Sequence, residues 1–194
     1  MPWSMSRWPF VGRIGLRVAD FQGSFLSGQK VELMFENEIV LNELQSGMFS
    51  RIYDDLPEDQ MFRPGSGHGH TPTWIVGHLA IVGEIGQQLL GGSVTHPEWG
   101  ALFGPGSSGE VDPALGLSKV ELGDAVQAAY AGLRSMCQTA DPARLNAPHG
   151  IGLFAGTPLV TVRHAVALIL TNHFGFHLAQ LSSCRRESGH PPLF

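Results

Sequence analysis

His173 and His177 stand four residues apart in a long apolar-periodic stretch, a spacing that puts both imidazoles on one helix face with Cβ atoms about 5 to 6 Å apart. Rings so placed can ligate one ion together or hydrogen-bond as a pair. Gln180 and Cys184 continue that face, seven residues beyond His173 and His177, and Val166, Ile169 and Leu170 precede the pair on nearly the same stripe. The pair is therefore expected to look inward, where an unpartnered imidazole costs about 1 to 3 kcal/mol. A shared metal would supply both rings with a partner. His78 is the third candidate: it sits among Trp74, Ile75, Ile81, Val82 and Ile85, which lie three, four or seven residues away and define the buried side of a helix. Three neutral nitrogen donors from two neighbouring helices would hold a divalent ion and leave coordination open to water or substrate, the pattern of a reactive site rather than a closed structural one. Such an ion acidifies a bound water or thiol, or polarises a carbonyl.

Two related chemistries lack their residues. No Glu follows the first His of the pair, so the general base of an HExxH zinc protease is missing. The other helices do not offer the inward Glu plus Glu-x-x-His set of di-iron bundles. The remaining histidines fit plainer roles. His68 and His70 flank Gly69 in a segment expected to be a solvated loop, although a metal role is the alternative there. His96 and His149 are expected as loop anchors, with a place at a pocket mouth the alternative for His96. His164 lies nine residues before His173, half a turn out of phase, and should face away from the ion, while His190 lies beyond the last helix and should be exposed. Cys184 rises about 10 Å beyond His177, too far for joint ligation, and is expected as a buried apolar thiol. Arg185 and Arg186 complement the C-terminus of their helix; the other reading gives them an anionic thiol or a substrate carboxylate. Glu36, Glu38 and Glu43 read as a solvated face, the alternative being that one of them reaches the bundle centre as a base. No protein nucleophile or general base can be assigned, so the catalytic residues stay unknown.

Four helices carry these groups. The apolar residues Val31, Met34, Phe35, Ile39, Leu41, Leu44, Met48, Ile52 and Leu56 recur at steps of mostly three and four, predicting a first helix from Gln29 to Leu56. Thr71-Pro72 supplies an N-cap followed by proline at the first helical position, opening a second helix from about Pro72 to Leu90, which Gly91-Gly92 ends. A long punctuated loop follows. Ser118 with Glu121 reads as a capping box for a third helix that runs to about Thr139, closed by Asp141-Pro142. Thr157-Pro158 repeats the cap-plus-proline device, predicting a fourth helix from Pro158 to about Glu187, stopped by Gly189 and Pro191-Pro192. An all-α, four-helix bundle with long loops between helices two and three and between three and four is the packing solution.

Composition narrows the class. At 194 residues, 43% hydrophobic and 15% charged, with 25 Gly and 13 Pro, the chain fits one folded domain rather than a disordered segment or a coiled coil. Twelve Lys and Arg against 17 Asp and Glu leave a net charge of −5, which offers little to a phosphate backbone, so no nucleic-acid partner is expected. No run of 18 apolar residues occurs, so no membrane span is expected either. Cys137 and Cys184 show no CxxC or finger spacing, which fits a reducing cytoplasm. The start of the chain differs in character: Arg7, Arg13, Arg17 and Lys30 face Asp20 alone. No apolar run with a small-residue cleavage site makes it a secretory signal. Residues 1–28 are expected as a basic extension, disordered or loosely docked or the product of a start placed too far upstream, and residues 29–194 as the bundle domain.

Three stretches resemble the DinB/YfiT-like helical metalloproteins: Thr71-Pro-Thr-Trp-Ile-Val-Gly-His-Leu-Ala around His78, His173-Phe-Gly-Phe-His-Leu-Ala-Gln-Leu, and the ending Arg185-Arg-Glu-Ser-Gly-His-Pro-Pro. The likeness covers about residues 30 to 194. It implies a four-helix bundle, commonly a homodimer, with a nickel or zinc ion on three histidines, which map onto His78, His173 and His177. Gln180 falls at the family's HxxxHxxQ position, where it would support a ligand from outside the coordination sphere. Characterised members include thiol-dependent S-transferases and a maleylpyruvate isomerase. The chain departs from the family pattern in its basic start and in the long loop through Trp99 and Phe103, so the substrate class does not carry over. The expected function is a mononuclear metal-dependent enzyme that activates a thiol or water for S-transfer, isomerisation or hydrolysis of a small electrophile, with a low-molecular-weight thiol as a candidate partner. The alternative is a non-catalytic bundle, metal-stabilised or metal-free, acting through dimerisation or ligand binding.

Overall fold

Thr71 and Ser118 begin their helices as the sequence predicts. The Thr71 side chain accepts the Trp74 N–H ahead of Pro72, and Ser118 Oγ accepts the Glu121 N–H at 3.1 Å, each satisfying one of the orphan donors of a helix start. The computed structural model describes residues 34–193, so the basic segment 1–28 and the expected boundary at residue 29 lie outside the described residues. The helices are α1 (Glu36–Asp54), α2 (Pro72–Leu89), α3 (Gly100–Phe103), α4 (Lys119–Gln138), α5 (Pro142–Asn146), α6 (Val162–Leu168) and α7 (Phe174–Glu187), with a π-helical turn at Ile169–His173 joining the last two. The protein is all-α. Among the described residues the only β pairing is one isolated bridge between Pro148 and Thr161.

Helix α2 is the central rod: every residue from Pro72 to Glu84 is buried. Helix α4 lies along it, and Gly83 permits the close approach, since a Cβ there would stand 2.9 Å from that of Ala129. Helices α1 and α7 complete the bundle. Tyr130 of α4 meets the Phe174 ring of α7 edge-on at 4.6 Å, and Phe174 meets Phe49 of α1 at 6.2 Å. Phe49 and Phe174 are both at most 1% exposed, and each such side chain contributes about 1.5 to 3 kcal/mol by leaving water.

Four expectations are corrected. Helix α1 begins at Glu36 rather than Gln29, after Phe35 at φ 64°, and the stretch 29–33 lies outside the described residues. Its buried face is also rotated: Leu41 and Leu44 are half or more exposed, while Asn42 and Ser46 are buried. The reason is Arg134 on α4, whose Nη1 donates to Asn42 Oδ1 at 2.6 Å and to Ser46 Oγ at 3.2 Å. The fourth helix starts at Val162, not Pro158. Thr157 closes a local turn, accepting the Leu159 N–H, and no helix forms until Thr161 caps α6. There His164 takes the place of the acid in a capping box, its Nδ1 accepting the N–H groups of Val160 and Thr161. His164 is thus exposed, as expected, but its capping bonds rather than its phase with His173 hold it there. Asp141 closes nothing; its carboxylate caps α5 through the Ala143 N–H.

The fourth helix is also not one uninterrupted α-helix. A single extra residue is absorbed at the π turn, and the buried stripe slips with it. Val162, Val166 and Leu170 lead to Phe174, Leu178 and Leu181, whereas an unbroken α period from Val166 would centre residues 173 and 177 instead. Phe174 and Leu178 take the middle of the stripe, and the two histidines move to its flank, facing α2.

Candidate metal centre

Each imidazole of the predicted trio is brought to the same point by a different element. His78 comes from the middle of α2, His173 closes the π turn, and His177 lies one turn into α7. One ring nitrogen from each falls within 4.8 Å of those of the other two, and the cluster is buried, His78 and His177 at 6% exposure and His173 somewhat less deeply. The ring centroids are 5.1 Å apart for His78 and His173, 4.8 Å for His78 and His177, and 4.6 Å for His173 and His177.

Hydrogen bonds decide which nitrogens converge. The Phe103 carbonyl, 2.6 Å from His78 Nδ1, can only accept, so Nδ1 carries the proton and Nε2 keeps its lone pair. Gln180 Oε1 sits 2.7 Å from His177 Nδ1 and takes that proton in the same way. This is the outer-sphere pattern of metal-bound histidines, in which the far N–H is tied to an acceptor and the near nitrogen is free to donate electrons. His173 differs: its Nε2 lies 3.1 Å from His78 Nε2, and its buried Nδ1 has no hydrogen-bond partner among the described residues. Three nitrogen donors brought this close together, with no carboxylate among them, could hold one metal ion.

Burial keeps the trio uncharged. It pulls His173 down to about 3 and His177 to about 4, with the neighbouring imidazoles adding to the effect and Gln180 partly opposing it at His177. His78 is lowered by burial too, against the opposing Phe103 hydrogen bond. At neutral pH all three rings are therefore neutral, each keeping one ring nitrogen as a lone pair.

Phe103, whose carbonyl orients His78, stands in the connection between α2 and α4. Gly77 admits it: a Cβ at that position would fall 2.5 to 2.6 Å from the Phe103 ring atoms. The loop is held by Glu84, which is 2% exposed and accepts the N–H groups of Thr95 and His96 at 2.8 and 2.9 Å, with His96 Nδ1 at 2.6 Å from its other oxygen. His96 then stacks on Trp99, and Trp99 meets Phe103 edge-on. His96 is thus a loop anchor, as is His149, which donates from Nε2 to the Leu159 carbonyl.

Sequence reasoning missed the aromatic wall beside the trio. Trp74 stacks on His78 at 4.6 Å, and His70 stacks on the other face of Trp74 at 4.1 Å. His68 follows at 6.3 Å from His70, with Nε2 3.8 Å from Cys184 Sγ. The two loop histidines are half-buried rather than a solvated loop; the signal was the four-residue step His70, Trp74, His78, which carries one face across the start of α2. Cys184 is buried, and burial pushes its thiol up to about 11, as an apolar thiol requires. Arg185 stands in the last turn of its helix as expected, and beyond that it is 4% exposed and pairs with Asp55 at 2.6 Å while donating to the Pro191 carbonyl. Its guanidinium therefore ties α7 to the end of α1 and to the tail, and is engaged rather than free for an anion. His190 lies half-buried beside the same Asp55, at 3.9 Å. Glu36 and Glu43 are exposed as expected, while Glu38 is half-buried.

No helix among the described residues is long and apolar enough to cross a membrane. Compared with known proteins, residues 43–181 match the family model of the DinB superfamily. The chain matches no curated protein.

Proposed function

Because the chain belongs to the DinB superfamily, we propose that it is a mononuclear metal-dependent enzyme whose ion, nickel or zinc, is held by His78, His173 and His177. The observation that carries this reading is the convergence of three neutral imidazoles whose far nitrogens are, in two cases, already committed to fixed acceptors. A divalent ion bound there supplies Lewis acidity, lowering the pKa of a water or thiol or polarising a carbonyl. The chain's own residues do the rest. Phe103 and Gln180 fix the tautomers of His78 and His177. Trp74, packed on His78, shields one side of the cluster from water. No side chain among the described residues is assigned as nucleophile or base. The reading favours a small electrophile as substrate and a low-molecular-weight thiol or water as the attacking partner, in S-transfer, isomerisation or hydrolysis.

Elemental analysis of chelator-free protein, before and after His177→Ala, tests the site. One equivalent of nickel or zinc that disappears in the variant is the expected result; stoichiometric metal retained by H177A would overturn the ligand assignment. A screen of thiols with electrophiles, and of esters and amides, then tests the activity. The second reading, a non-catalytic bundle, is favoured by one contact: His78 and His173 already satisfy each other through Nε2 at 3.1 Å. Under that reading the purified protein holds no ion and the screen gives no turnover.

A further inference from the structure

We infer that Asn42, held by Arg134, is a positioning residue that clamps the π turn and so sets the direction of His173. A π turn leaves helix carbonyls without their usual i+4 partners and costs stability unless something else pairs them. Here Asn42 Nδ2 donates to the Leu170 carbonyl at 2.8 Å, and Gln45 Nε2 donates to the Thr171 carbonyl at 3.3 Å. Thr171 adds a bond of its own, Oγ1 to the Ala167 carbonyl at 2.6 Å, a back-bond that bends helices. All three act inside or just before the five residues that end at His173.

Asn42 is suited to this task by what stands behind it. It is fully buried, and its amide has one orientation that satisfies both neighbours: Oδ1 toward the Arg134 guanidinium at 2.6 Å, Nδ2 toward Leu170. Reversing it would set two donors against each other and leave the carbonyl unpaired. Arg134 thus locks the amide, the amide pairs the carbonyl, and the paired carbonyl lets the helix keep its extra residue. Without the clamp, the α-helical bonding pattern is the better alternative for the backbone. Adopting it would rotate the chain after Leu170 by one residue, carrying His173 away from His78.

This inference rests on the metal-site reading for its consequence, but not for its test. In full-length, metal-free protein the contact between the His78 and His173 rings is followed by nuclear Overhauser effects. In parallel, Zn2+ and Co2+ affinity and the visible spectrum of the cobalt form are measured. Asn42→Ala and Arg134→Met are expected to abolish the ring contact, weaken metal binding by about 10-fold or more, and change the cobalt spectrum. Arg134→Lys, which keeps a donor for Asn42, should restore both. Gln127→Ala should behave as wild type: Gln127 joins α4 to α1 through Ser46 and Ser50 without touching the π turn. An intact ring contact in both N42A and R134M would overturn the inference. If N42A does not fold, the R134M and R134K pair decides. If wild-type protein takes up no ion, the metal reading fails, while the ring contact still settles whether Asn42 positions His173.

Discussion

His78 and His173 share one proton across the 3.1 Å between their Nε2 atoms, and it belongs to His173. His78 spends its single proton on the Phe103 carbonyl through Nδ1, so its Nε2 can only accept. His173 must then be the donor, which leaves its Nδ1 as a bare lone pair; that atom is the buried ring nitrogen without a partner. To offer Nε2 to an ion, His173 has to move its proton to Nδ1, whereas His78 and His177 are ready as they stand. Long-range proton–nitrogen spectra of metal-free protein are expected to show His78 protonated on Nδ1 and His173 on Nε2. Finding His173 protonated on Nδ1 would refute this arrangement.

Gln180 tests whether orientation of His177 matters to binding. Gln180→Leu removes the acceptor for the His177 Nδ1 proton while keeping most of the volume, and metal affinity should drop by about 10- to 100-fold. Gln180→Glu, which still accepts, should bind at least as well as wild type. Equal affinities for the leucine variant and wild type in a competition titration would remove Gln180 from the site.

Gly77→Ala acts through packing. The new Cβ would meet the Phe103 ring at 2.5 to 2.6 Å, so the ring and the carbonyl it carries must shift. Overpacking of this kind costs about 1 to 3 kcal/mol, read as a lower denaturant midpoint, and the His78 tautomer should become mixed in the same spectra. Unchanged stability would mean that the loop yields freely.

Acid should weaken the metal-free protein within a definite window. His173 and His177 are held at about 3 and about 4, well under the ordinary 6.5, so the folded chain binds fewer protons than the unfolded chain between those values. Stability therefore rises with pH across that range: it is complete above about 6.5 and is lost as pH falls toward 4. Asp55 and Glu187 are lowered as well, by Arg185 and by Ser66, and their losses come below the ordinary carboxylate range. Denaturant midpoints should stay level from pH 7.5 to about 6.5, then fall toward pH 4.5 in wild type and more shallowly in His173→Phe. A flat profile in wild type would contradict the burial of these rings as neutral groups.

What the linear chain determined by itself was whatever depends on near neighbours. Thr71-Pro72, Ser118 and Gly189 marked helix ends because capping is a matter of a few adjacent backbone groups. The His173–His177 spacing announced a pair because two residues four apart share a helix face in any context. His78 was legible for the same reason, through the apolar neighbours on its own helix.

Tertiary structure decided what depends on partners far away in sequence. Asn42 stands between Leu41 and Glu43 with nothing in its sequence neighbours to mark it, yet it is buried because Arg134 and the Leu170 carbonyl meet it from two other elements. The π turn was invisible because its extra residue is stable only with those distant donors in place, and no periodicity in the fourth helix could report them. The acceptor that orients His78 is a main-chain carbonyl at Phe103, a group every residue possesses, so no side-chain pattern could single it out. Residue types named the donors of the site; long-range hydrogen bonds chose the direction in which each donor points.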